Sequence, residues 1–292
     1  METITIQNGT LAVTVDPVGG ALTSIRRDGA EYVWQADPAY WGSHDKNLFP
    51  YVGRMNEGRY LLEGKTYEMP IHGFCGGRAF AVAGQGPDFV RLLLADSEET
   101  RRMYPFAFRF EILYRLEGEK LIKQSIVTNT GTKALLFGIG AHPGFNVPLG
   151  GDGSFTDWQF VFPEPSEPVR VEFDQKNYLI SGKEAPWPLA DGTRLPLTHD
   201  LFDLDAVVLK GMPRQVTLCS DKSRRSVTVD YPDMPFLGLW HAPHKDAPYV
   251  CIEPWASLPS RSGVTEDLAA QPHIIHLPAG ETYTNTLTFT IR

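Results

Sequence analysis

A histidine stands before a proline among glycines in Gly138-Ile139-Gly140-Ala141-His142-Pro143-Gly144-Phe145-Asn146-Val147-Pro148. Far downstream a glutamate stands before another proline, in Tyr249-Val250-Cys251-Ile252-Glu253-Pro254-Trp255. One imidazole and one carboxylate, each delivered by the end of a strand, are the minimum for paired acid and base chemistry. Pro143 biases His142 toward extended backbone. Gly138, Gly140 and Gly144 strip side-chain bulk from its surroundings, which weakens a strand unless something must come close. In the Tyr249–Glu253 run, alternation sends Val250 and Ile252 to one face and Cys251 and Glu253 to the other. A carboxylate beside Pro254 and Trp255 loses water, which raises its pKa toward that of a useful base. The plain alternatives are a satisfied buried histidine and a strand-end glutamate in a salt bridge.

Three further polar residues sit among turn formers. Arg54 follows Val52-Gly53 in a loop between apolar runs, where its fork of donors could hold hydroxyl or anionic oxygens or a structural ion pair. His72 precedes Gly73, which permits close backbone approach, and Phe74, a candidate apolar floor. Asp205 enters the apolar run Ala206-Val207-Val208-Leu209, with Asp203 as its near competitor. Histidines spaced by three, His241/His244 and His273/His276, would point to opposite faces of a strand and have no cysteine or carboxylate cluster for company, so a metal site is not expected. No phosphate-binding loop, dinucleotide fingerprint or nucleophile elbow occurs.

The elements that must carry these residues read as strands. Tyr283, Asn285, Leu287, Phe289 and Ile291 alternate with threonines, and Phe108, Phe110, Ile112, Tyr114 and Leu116 repeat the period of two. Glu117-Gly118-Glu119 and Asn8-Gly9 each divide two alternating runs, as hairpin loops do. Helical signals are few: a short helix capped by Ser97 and stopped near Pro105, and a single turn from Thr265. The proline-rich stretch from Pro163 to Pro196 reads as an excursion with weak strands. The economical architecture is all-β, one large antiparallel sandwich of two sheets forming a single domain over residues 1–292.

The 292 residues carry a net charge of −8, which argues against nucleic acid or an anionic membrane as partner. No apolar run is long enough to span a bilayer, and METITIQNGT lacks the pattern of a signal peptide. Three widely spaced cysteines, Cys75, Cys219 and Cys251, suit a reducing cytoplasm better than a disulfide framework.

Five segments occurring in order resemble the aldose 1-epimerase (galactose mutarotase) family, and within it the LacX-like branch. They are Leu48-Phe49-Pro50-Tyr51-Val52-Gly53-Arg54, His72-Gly73-Phe74, His142-Pro143-Gly144-Phe145-Asn146-Val147-Pro148, Phe202-Asp203-Leu204-Asp205-Ala206-Val207-Val208-Leu209 and Cys251-Ile252-Glu253-Pro254-Trp255. Each is short, and together they span most of the chain. The resemblance implies the galactose mutarotase-like supersandwich, with His142 as general acid, Glu253 as general base, and Arg54, His72 and Asp205 holding sugar hydroxyls. Trp240, Trp255 or Phe74 would pack on the sugar face. The sequence departs from the branch at Cys75-Gly76-Gly77-Arg78, where Arg78 could be a shifted substitute, and at Ser257-Leu258-Pro259-Ser260.

The implied reaction interconverts the α and β anomers of a free hexose by ring opening and reclosure. It requires no metal, nucleotide or redox cofactor, and its partner is a small sugar. The chain is expected to be a monomer or a homodimer. Two alternatives stay open. A hexose-6-phosphate mutarotase would want basic groups converging on the site, and Arg54, Arg78 and Lys46 form no dense cluster in sequence. A non-catalytic carbohydrate-binding protein could use the same fold, but binding needs no matched acid and base.

Overall fold

The computed structural model describes residues 2–292. Two large antiparallel sheets share one core. The first has nine strands, and its centre is the run Val227–Asp230, Thr282–Ile291, Lys120–Asn129, Phe108–Glu117 and Phe89–Ala95. The second has eight strands, ordered Leu179–Pro186, Val169–Asp174, Val207–Lys210, Phe236–Trp240, Tyr249–Trp255, Gly140–Ala141 and Asn47–Leu48, with Gly144–Asn146 also paired to Tyr249–Trp255. Four short N-terminal strands form a separate sheet, and two two-stranded ribbons complete the molecule.

Alternation dictates which side chains fill the space between the sheets. Phe110, Ile112, Leu121, Val127, Leu287 and Phe289 enter from the nine-stranded sheet, and Val207, Leu237, Leu239, Val250 and Ile252 from the eight-stranded one. Burying this much aliphatic and aromatic surface, about 1.5–3 kcal/mol per large side chain, is what opposes chain entropy.

The expected hairpins form. Glu117 pairs with Lys120 across the Gly118-Glu119 turn, where Gly118 has φ 58°. Asn8 ties its loop by accepting from the backbone N–H groups of Thr10 and Leu11. The one α-helix among the described residues, Glu98–Met103, is capped by Ser97, whose Oγ accepts from the Thr100 N–H. The turn expected from Thr265 is not helical. Glu266 instead spends its carboxylate on the Arg261 backbone N–H and guanidinium, and its carbonyl accepts from Leu61 N–H, which holds the segment extended. The excursion from Pro163 to Pro196 supplies the two strands at one edge of the eight-stranded sheet.

Candidate active site

The outer face of the eight-stranded sheet, turned away from the shared core, carries the candidate residues. Gly140 pairs with Trp255, and Gly144 with Cys251. Pro143 interrupts the ladder between them without shifting its register, so His142 stands opposite Glu253 on the neighbouring strand. Residues opposite each other in an antiparallel pair present side chains to the same face about 4.5–5.5 Å apart at Cβ. His142 Nε2 accordingly lies 3.4 Å from Glu253 Oε1.

The glycines around His142 make room for neighbours in the protein. A side chain on Gly140 would meet Trp255 and Leu48, one on Gly144 would meet Trp34 and Trp41, and one on Gly138 would strike the Ser257 hydroxyl. Close strand and aromatic packing accounts for them.

His142 and Glu253 line a cavity of about 260 Å³ with Arg54, His72 and Asp205. All five residues singled out in the sequence therefore converge. Lys46, Trp41, Trp240, Trp255, Phe173 and Tyr178 complete most of its wall. Asp205, not Asp203, faces the cavity: its Oδ1 accepts from Trp240 Nε1 at 2.9 Å, whereas Asp203 pairs with His244 at 3.1 Å. His72 and Asp205 both have left-handed backbone, φ 64° and 70°. Such strain costs on the order of 1–3 kcal/mol each and persists where the surroundings over-determine it. For His72 the constraint is reciprocal. Its N–H donates to the Gly53 carbonyl, and its Nδ1 accepts from the Gly53 N–H at 3.2 Å. With Nδ1 an acceptor, the proton of the neutral ring sits on Nε2.

Two expectations fail. Phe74 is no floor of the cavity; it packs in the core against Phe49, Tyr104 and Phe108. Arg78 is no substitute for a site arginine, because it is held by Glu99 at 2.5 Å and does not line the cavity. A larger depression, about 710 Å³, lies elsewhere beside Arg101, Lys133 and His276. It holds none of the candidates, and its cations pair locally, Arg101 with Asp96 and Lys133 with Glu63.

The sequence reading missed Trp41 as a site residue. Its ring stacks on His142 with centroids 4.8 Å apart, and its carbonyl accepts from Trp34 Nε1 at 2.8 Å, which fixes the loop. Nothing periodic marks that loop; a tryptophan among turn formers was the only available signal.

Burial dominates the electrostatics. It pushes the Glu253 carboxyl well above the usual carboxylate range, and Asp205 adds to the effect. It pulls His142 well below the usual imidazole value, assisted by His72 and Lys46. His72 falls to about 3 through burial, with Lys46 and Arg54 adding to it. Among the described residues His142 Nδ1 is buried without a hydrogen-bond partner, while the Trp255 indole N–H lies toward the Glu253 carboxylate and partly offsets the rise in its pKa. Leaving an atom such as His142 Nδ1 unpaired costs roughly 1–3 kcal/mol, a cost a polar ligand could relieve.

Metal binding has one candidate among the described residues: His142, Cys251 and Glu253 present ligand atoms within 4.8 Å of one another. Metals take thiolate and carboxylate, and burial disfavours both here by raising Cys251 and Glu253. Of the other histidines, His241 is buried against His199 at 3.1 Å and His273 packs on Phe236.

A buried acid–imidazole pair at the outer face of a β-supersandwich defines a class of protein, and comparison with known sequences agrees. Residues 2–290 match the family model for aldose 1-epimerase, and the chain belongs to that family. It is 33% identical over 267 residues to the plasmid-encoded protein LacX of Lactococcus lactis subsp. lactis, covering 88% of each chain. A galactose mutarotase related enzyme from Lactobacillus acidophilus superposes with a TM-score of 0.94 at 32% identity, covering 100% of this chain and 97% of that one. A galactose mutarotase-like protein from Lactobacillus casei ATCC 334 gives the same score and identity over the whole of both chains.

Proposed function

We propose that this chain, working as one domain, is an aldose 1-epimerase that interconverts the anomers of a hexose, with Glu253 and His142 as the proton-transfer pair. The observation that carries this reading is the placement of those two groups opposite each other on adjacent strands, 3.4 Å apart, in a cavity where both have perturbed pKa values.

The chemistry follows from one proton count. A protonated Glu253 with neutral His142, and an ionised Glu253 with protonated His142, differ only by a proton moved between them. Burial favours the neutral pair. A sugar brings hydroxyl groups that solvate charge. Glu253 then takes the proton of the anomeric hydroxyl while His142 gives one to the ring oxygen. The C1–O5 bond breaks, with its electron pair going to O5, and C1 becomes the aldehyde. Rotation about C1–C2 presents the other carbonyl face. Reclosure with the roles reversed returns the proton to the anomeric oxygen and restores the pair. Arg54, the His72 Nε2–H and Asp205 orient hydroxyls, and Trp240 or Trp255 packs on the ring.

Polarimetry of freshly dissolved α-D-glucose and α-D-galactose tests the reading. Wild-type protein should accelerate equilibration, and Glu253→Gln should lose about 10²–10⁴-fold of that acceleration. Tight sugar binding by a wild type that does not accelerate mutarotation would show a binding protein instead.

A further inference from the structure

Lys46 has no role in the reading above. It lines the cavity, half-buried, and among the described residues no carboxylate lies within ion-pair distance of it. Arg54 also lines the cavity, without an ion-pair partner among the described residues, its guanidinium 5.8 Å from the centre of the Tyr178 ring. Besides Glu253, Asp205 is the other acid lining the cavity; its Oδ1 accepts from Trp240 Nε1, and it forms no ion pair with either cation among the described residues. Two cations thus face a small cavity whose wall includes the rings of Trp41, Phe173, Tyr178, Trp240 and Trp255. Arg54 is exposed and Lys46 is half-buried, so it is Lys46 that is partly desolvated, and a partly desolvated cation without an ion-pair partner is stabilised by a ligand that brings negative charge.

The backbone gives Lys46 a fixed place. Asp45 and Asn47 both turn inward. Asp45 accepts from the Leu22 N–H and pairs with Lys123, and Asn47 donates to the carbonyls of Gly19 and Gly20. Alternation then sends Lys46 outward. Leu48 pairs with Gly140, and Asn47 with Ala141. Continued by one residue, this register brings Lys46 opposite His142, on the side away from Glu253. Glu253, His142 and Lys46 therefore form a row across three neighbouring segments of the sheet, each step roughly one strand spacing of 4.8 Å.

A pyranose laid along that row has its atoms in matching order. The anomeric hydroxyl meets Glu253 and the ring oxygen meets His142. The next ring atom is C5, and its exocyclic group meets Lys46. We propose that the preferred substrate is a hexose bearing an anionic group on its C5 arm, a phosphate ester or a carboxylate, and that Lys46 is the specificity-determining residue that binds it, with Arg54 as the second cation at the cavity. The inference rests on the acid–base reading of Glu253 and His142. A lysine supplies a compact point charge suited to either anion.

Exchange NMR at anomeric equilibrium tests this directly with glucose, glucose 6-phosphate and glucuronate. The expected result is a kcat/KM for one anionic sugar at least about tenfold above that for glucose. Which of the two leads reveals whether the anion is a phosphate ester or a carboxylate. Lys46→Met should cut that anionic advantage at least about tenfold, and Lys46→Arg should keep most of it. Equal turnover of glucose and both anionic sugars would overturn the inference and leave the acid–base reading standing. So would a Lys46→Met variant that slows all three sugars by one factor. Turnover of none of the three by wild type would overturn both.

Discussion

Lys123 Nζ lies 3.7 Å from Asp45 Oδ2, and both side chains are almost wholly shut off from solvent. Lys123 belongs to the nine-stranded sheet, and Asp45 lies two residues before the Asn47–Leu48 strand at the edge of the eight-stranded one. The pair ties the two sheets together behind the cavity and orients the segment that carries Lys46.

Breaking that pair should be costly. Lys123→Met leaves a buried carboxylate without its counter-charge and is expected to destabilise the fold by about 3–5 kcal/mol in urea or guanidinium unfolding. Adding Asp45→Asn removes the stranded charge and keeps an acceptor for the Leu22 N–H, so the double variant should be more stable than Lys123→Met alone. A double variant less stable than the single one would contradict this account.

Glu253 should exact a stability cost that depends on pH. Its pKa in the fold lies well above 4.5, so the fold binds more protons than the unfolded chain between those values. The contribution is fully present below pH 4.5 and is lost as pH rises through the folded value. Glu253→Gln cannot ionise and should gain Tm relative to wild type as pH is raised from 5 to 8, while losing activity. A wild type that keeps the higher Tm at pH 8 would show that Glu253 is stabilising as an anion.

His72 works in the opposite sense. Its pKa falls from 6.5 to about 3, so stability is full above pH 6.5 and drains as pH drops toward 3. The Tm of His72→Gln should therefore fall less steeply between pH 7 and pH 4 than that of wild type. Parallel Tm curves would place the acid sensitivity elsewhere.

Trp41 shields His142. In Trp41→Leu the stacked ring is lost and water reaches the imidazole, whose pKa should climb toward its ordinary value. We expect kcat/KM for anomer exchange to fall about three- to tenfold, with the acid limb of the pH–rate profile moving to higher pH. A lower rate on an unmoved profile would mean that Trp41 contacts only the sugar.

The sequence alone fixed much of this protein through local rules. A period of two identified the Phe108–Glu117, Lys120–Asn129 and Thr282–Ile291 strands, because alternation is set by the chain's own pleat. The same rule put Glu253 on the face opposite Val250 and Ile252, and the order of five short segments indicated the family. Tertiary structure decided what depends on residues far apart in the chain. Strand pairing set His142 opposite Glu253 and, one strand over, Lys46 opposite His142. A loop without periodicity laid Trp41 on the imidazole. Trp240 chose Asp205 over Asp203, Glu99 withdrew Arg78, and the core claimed Phe74. Local pattern tells which face a side chain takes; only register and packing tell what it meets there.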